Sequence, residues 1–160
     1  CTYMYICSMK LEQALKTSKF TSNRHKVGLN ILYTAWWMKT IINTNLKQFG
    51  LTHEQYNVLR ILKGKHPEQM CVKDIASRMI EKNSNVPRII DKLFLKLFIQ
   101  RIQSDIDGRQ TMISLTKAGL EILDNTTKHI NQLESNINPL TEEEAHQLNN
   151  LLEKIRAEEE

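Results

Sequence analysis

The sequence predicts a mostly α-helical chain carrying one small β-hairpin, an α+β arrangement, and three observations lead there. Apolar residues recur at helical spacing through several separate stretches between Val27 and Ile155. Two short runs, Phe98 to Gln103 and Gln110 to Leu115, instead alternate apolar with polar residues around a polar tip, as the strands of a hairpin do. Finally, 41% hydrophobic and 25% charged residues, with only five glycines and three prolines in 160, suit a folded core rather than a collagen-like or disordered chain.

Taken in order, residues 1–8 are expected to be a disordered extension. The chain opens on Cys, so Met4 or Met9 is read as the natural start, and Cys1 to Ser8 lacks the basic lead of a signal peptide. From Val27 to Phe49, Leu32, Ala35, Ile42, Leu46 and Phe49 form one stripe and Tyr33, Trp37 and Ile41 another, which predicts a helix buried on more than one side. Gly50 should end it. Thr52 with Gln55 is a capping box, Leu51 can staple onto Tyr56, and Val58, Leu59 and Leu62 give that helix its inner face until Lys63-Gly64-Lys65-His66-Pro67. Val72, Ile75, Ala76 and Met79 predict about two further turns. The polar run Glu81 to Asn85 then precedes a stripe of Val86, Ile89, Ile90, Leu93 and Leu97, with Pro87 in the first turn, where a missing N–H costs little. After the hairpin, Thr116 caps a long helix bearing Leu120, Leu123, Ile130, Leu133 and Ile137. Pro139 breaks it, and Thr141 with Glu144 opens a last helix with Ala145, Leu148, Leu152 and Ile155 on one face.

Three helices followed by a hairpin, over residues 51–117, is the order of a winged helix-turn-helix, flanked here by helical regions at 9–50 and 118–160. In that motif the second helix of the pair enters the major groove of DNA, about 12 Å wide, so the residues at its start must be polar and able to reach base edges. Here they are Asn83, Ser84, Asn85 and Arg88, with Lys92 a turn further on. Asn can bond bidentately to adenine and Arg to guanine, and Lys73, beside the preceding helix's start, can hold a phosphate. At the hairpin tip, Asp107 can pair with Arg109 and hold its guanidinium outward, suited to the negative potential of a minor groove. Each feature alone also fits an ordinary solvated surface. Charge is uneven in the same sense: residues 1–70 are net +7, residues 71–117 net +4 and residues 118–160 net −7. A basic front with an acidic tail suits a chain that turns one face to a polyanion.

The run Ile75-Ala76-Ser77-Arg78-Met79, then Asn83 to Leu97, Arg101, Asp107-Gly108-Arg109 and Ile113 to Gly119 resembles the MarR family of bacterial transcriptional regulators, over nearly the whole chain from about Met9. The resemblance implies a cytoplasmic homodimer in which the first and last two helices of both subunits interlock, each subunit presenting one winged helix-turn-helix to half of a palindromic double-stranded DNA site. It places recognition contacts on Ser84, Asn85 and Arg88 and the wing pair on Asp107 and Arg109. Two positions depart: Leu97 stands where many members have Gly, and Pro87 where a small polar residue is common. The resemblance also implies release by a signal, either an oxidant or a small aromatic or phenolic effector, with His25, Trp36 and Trp37 as candidate pocket residues. Aromatic residues at helical spacing are, however, more often core.

An independent argument also points to a homodimer. Helices at 27–49, 116–137 and 141–157 carry more apolar surface than a winged-helix core of about 65 residues can cover, and a second copy is the simplest partner. Other classes fare worse. The five histidines show no metalloprotease spacing, and there is no nucleophile elbow or phosphate-cradling glycine loop, so no enzyme and no cofactor are expected. Cys1, Cys7 and Cys71 have neither metal-site spacing nor disulfide density, which fits a reducing cytoplasm. No metal-binding cluster is visible in the spacing of His, Cys and carboxylates. Cys71 lies near a predicted helix start, where a thiolate is favoured, though a buried inert thiol is the commoner case. No stretch approaches the roughly 18 apolar residues of a membrane span. The rival reading is a winged helix that has lost DNA binding and docks a protein through the same face.

Overall fold

The computed structural model describes residues 9–82, 84–103 and 111–157. The expected extension at 1–8 lies outside them, as do Asn83 and the hairpin tip with Asp107 and Arg109.

A five-residue helix α1 (Leu11–Leu15) is pinned by buried Leu11 and by an ion pair from Glu12 to Lys26 of α2 (Asn23–Leu46). Helix α2 begins four residues before its apolar pattern does, because Ser22 accepts the His25 N–H at 3.1 Å and caps a polar first turn. Its last turn tightens to a 3₁₀ turn at Lys47–Phe49. Gly50 then adopts φ +65°, which lets the Leu51 N–H reach back to the Leu46 carbonyl. Helix α3 (His53–Lys63) has the full capping box: Thr52 accepts from the Gln55 N–H, and Gln55 accepts from the Thr52 N–H. The pair α4 (Val72–Arg78) and α5 (Val86–Leu95) follows, with Pro87 in the first turn of α5.

Strands β2 (Ile99–Gln103) and β3 (Thr111–Leu115) pair antiparallel, Ile99 opposite Leu115 and Gln103 opposite Thr111, as the alternation predicts. The hairpin is not alone. A two-residue strand β1 (Met70–Cys71) joins the other edge of β3, giving the order β1-β3-β2. Two residues are too few to show an alternating pattern, so the sequence offered no sign of it. Thr116 caps α6 (Lys117–Ile137), and the Thr141–Glu144 box opens α7 (Glu142–Arg156).

Leu97 corrects the predicted stripe. Helix α5 ends at Leu95, and Leu97 takes φ +60° and is 70% exposed. The Phe98 N–H bonds the Leu93 carbonyl and the Leu97 N–H bonds that of Phe94, the Schellman ending usually built on glycine. That turn brings the Phe98 backbone hard against the start of α6. A Cβ on Gly119 would lie 1.9 Å from the Phe98 oxygen, so only glycine fits there.

One core unites these elements. It runs from Leu46 and Leu51 through Tyr56, Leu59 and Leu62, Ile75 and Met79, Ile90 and Leu93, and Ile99 and Ile113 to Leu123, Ile130 and Leu133. Helix α2 buries only Asn45 and Leu46, and α7 buries nothing. Leu32 is 69% exposed, Trp36 59%, Leu151 60% and Ile155 58%. Among the described residues, apolar faces on the first long helix and the last one are therefore left uncovered.

Candidate nucleic-acid interface

Helix α5 presents the expected residues because its own amphipathicity fixes its roll. Val86, Ile90 and Leu93 are buried in the core, which turns Arg88 and Lys92, one turn apart, to the surface. Asn85 is the N-cap of α5: its Oδ1 accepts the Arg88 N–H at 3.2 Å. The residue read as a base reader thus also sets where the helix starts and where Arg88 emerges. Ser84 is half-buried, its Oγ shielded from solvent and without a hydrogen-bond partner among the described residues.

Ser84, Asn85, Arg88 and Lys92 come together along an open cleft of about 400 Å³, shared with Thr52, Glu54 and Gln55 at the start of α3 and with Glu81 from the α4–α5 turn. Lys73 is exposed near the start of α4 and does not line that cleft. His25, Trp36 and Trp37 all lie on α2 and do not line the cleft beside α5. The exposed His25 ring bonds Thr21 and meets Phe20 edge-on. Trp36 leans on Tyr33 with ring centroids 5.5 Å apart, and Trp37 packs against the core. Cys71 is buried as the N-cap of α4, its Sγ accepting the Asp74 N–H at 3.4 Å.

Three side chains, Lys96, Arg101 and Lys39, tie distant elements together around α5, and none of these contacts has a local signature in the sequence. Lys96 donates to the Gly50 carbonyl and, at 2.9 Å, to buried Gln55, tying the end of α5 to the α2–α3 junction. Burial, with a smaller contribution from Lys92, pushes its amine below the usual lysine range. Arg101 of β2 pairs with Asp91 on α5 and lies 4.9 Å over the Phe94 ring, joining wing to helix. Lys39 of α2 reaches Glu81 Oε1 at 2.5 Å and Glu54 Oε1 at 3.6 Å. The hydrogen bond to Glu81 raises the Lys39 pKa against the opposing effect of burial. For Glu54, burial alone would raise the pKa. Hydrogen bonds from its own backbone N–H and from Thr52, together with the Lys39 charge, outweigh that and hold it low. Ion pairs between residues so far apart in sequence leave no periodic signal to read.

The same corner holds a cluster the sequence spacing did not display: His53, Glu54 and Glu81 each offer one ligand atom, all within 4.8 Å of one another. The His53 N–H is held by Asn43 of α2 at 3.1 Å.

A helix-turn-helix with an outward-facing second helix, followed by a two-stranded antiparallel wing that a short strand before α4 extends to three, and framed by long helices, defines the winged helix-turn-helix class. Residues 40–126, more than half of the chain, match the sequence model of the transcriptional regulator SarA/Rot family, and the chain belongs to that family of MarR-like winged-helix regulators, which are not enzymes. It is 30% identical over 103 residues to the HTH-type transcriptional regulator SarZ of Staphylococcus epidermidis, covering 64% of this chain and 68% of SarZ. Among solved structures it resembles the S. aureus MepR–DNA complex, at 25% identity and a TM-score of 0.72, over 84% of this chain and 96% of that one. A MarR transcription factor from Planctomyces limnophilus is 31% identical with a TM-score of 0.66, over 84% and 98% of the two chains. Among the described residues no helix is long and apolar enough to cross a membrane.

Proposed function

We propose that this regulator binds duplex DNA sequence-specifically as a homodimer, one α5 per half-site of a pseudo-palindromic operator, and represses the genes behind it. The observation that carries the reading is the roll of α5, which buries Val86, Ile90 and Leu93 and leaves Arg88 and Lys92 facing outward behind an Asn85 cap. Arg88 is assigned to a guanine edge, Ser84, Asn85 and Asn83 to neighbouring base edges, and Lys92 and Lys73 to phosphates. Asp107 and Arg109 are assigned to the adjacent minor groove from the sequence alone. The MepR–DNA complex, similar over most of this chain, supports binding to DNA.

Homodimerisation is supported by the uncovered apolar faces of α2 and α7, since exposed patches of that kind mark interaction surfaces. Recognition helices must then sit about 34 to 36 Å apart, and a signal that changes the spacing of the two subunits would release the DNA. The proposed signal is a small aromatic or phenolic molecule near His25, Trp36 and Trp37, or an oxidant.

The test is duplex affinity as a function of salt. Arg88→Ala should cost about 1 to 3 kcal/mol on the preferred sequence and flatten discrimination at one position, whereas Lys92→Ala should weaken all sequences alike and lower the salt slope by about one. If neither change affects DNA binding, the face docks a protein instead.

A further inference from the structure

We propose that His53, Glu54 and Glu81 form a divalent transition-metal site, with the chemistry of a zinc site, between the start of α3 and the turn leading into α5. Their three ligand atoms lie within 4.8 Å of one another, and all three residues are half-buried, so modest side-chain rotation brings them onto one ion. One imidazole nitrogen with two carboxylate oxygens is a donor set that suits zinc, and three protein ligands leave a fourth position for water.

The corner already concentrates a cation. The Lys39 ammonium, 2.5 Å from Glu81 and 3.6 Å from Glu54, sits where negative potential is focused. Carried on a flexible four-carbon stem, it is the group an incoming ion displaces. The positive end of α3 opposes a cation at His53, an effect confined to the first turn and countered by two full negative charges.

Because Glu81 lies in the turn before Ser84 and Asn85, a bound ion would fix the start of α5. Any effect of that ion on DNA affinity rests on the DNA-binding reading, but metal binding does not, so the two fail separately.

The test uses the untagged full chain without DNA, stripped by a chelator and titrated with zinc chloride against a chromophoric competitor. One zinc per chain is expected, weakened roughly tenfold or more by Glu81→Gln and by His53→Ala, and strengthened by Lys39→Met, which removes the competing ammonium. Circular dichroism identifies any variant that does not fold, and the gain in Lys39→Met then decides the matter. A chain that retains no zinc, or retains it equally in all three variants, overturns the site.

Discussion

Leu97 occupies a left-handed backbone position, where a side chain costs roughly 1 to 2 kcal/mol and glycine almost nothing. It persists because the Schellman bonds at Leu93 and Phe94 and the Thr116 hydroxyl on the Leu97 carbonyl hold the turn in place. Leu97→Gly should therefore stabilise the chain by about 1 kcal/mol, raising the thermal midpoint by about 2 to 4 °C. An unchanged or lowered midpoint would mean that the exposed leucine makes contacts that offset the strain. Gly119 is the opposite case. Any Cβ there strikes the Phe98 carbonyl, so Gly119→Ala should cost about 1 to 3 kcal/mol in denaturant unfolding. Neither demand was legible from these residues alone. A leucine continuing an apolar stripe reads as helix, and a close approach between backbones 21 residues apart has no local signature. Gly119 was picked out only as part of the family resemblance.

Element boundaries were legible at three caps that span three residues, though not at Ser22–His25, where α2 starts before its apolar pattern does. Thr52–Gln55, Thr116 and Thr141–Glu144 all cap as the sequence predicts, because side chain and target N–H lie on the same short segment. The α5 cap separates two roles of one residue. Asn85→Ala should lose about 1 kcal/mol of stability together with DNA affinity. Asn85→Asp should keep the cap, and the favourable charge at a helix start, while repelling phosphate, so stability holds and DNA binding falls. Equal behaviour of the two variants in both denaturation and DNA titration would contradict this assignment. The junction of α2, α3 and the α4–α5 turn is pH-sensitive through Glu54. Its pKa is held below the ordinary 4.5, so its stabilising contribution is full above that value and is lost as pH falls through the lower folded one. Lys39→Met removes one cause of the shift, so its pH–stability curve should be shallower than the wild type's on the acid side. Parallel curves would show that Lys39 contributes little to Glu54.

For the whole molecule, the winged-helix order was legible because each helix carries its own apolar period and its own cap. The surplus apolar surface expected of the flanking helices is found on α2 and α7 but not on the helix at 116–137, since α6 buries Leu123, Ile130, Leu133 and Ile137 in the core of this chain. The far corners of the fold stayed hidden as well: β1, Lys96 on Gly50, Arg101 on Asp91, and the cluster around Lys39. Each needs residues that only the folded chain brings together. If α7 is a dimer face, Leu151→Glu with Ile155→Glu should yield monomers in sedimentation at concentrations where the wild type is a dimer, with little loss of helix content. A double variant that remains dimeric would place the interface elsewhere.

The central claim, that this chain reads DNA as a symmetric pair, is tested most directly by selecting bound duplexes from a random-sequence pool at about physiological salt and sequencing the survivors. The account predicts enrichment of a two-fold-symmetric motif with half-sites one helical turn apart, about 10 base pairs centre to centre, and loss of one base preference in each half with Arg88→Ala. No enrichment and no salt-dependent binding would contradict it and leave the exposed side of α5 as a protein-docking face.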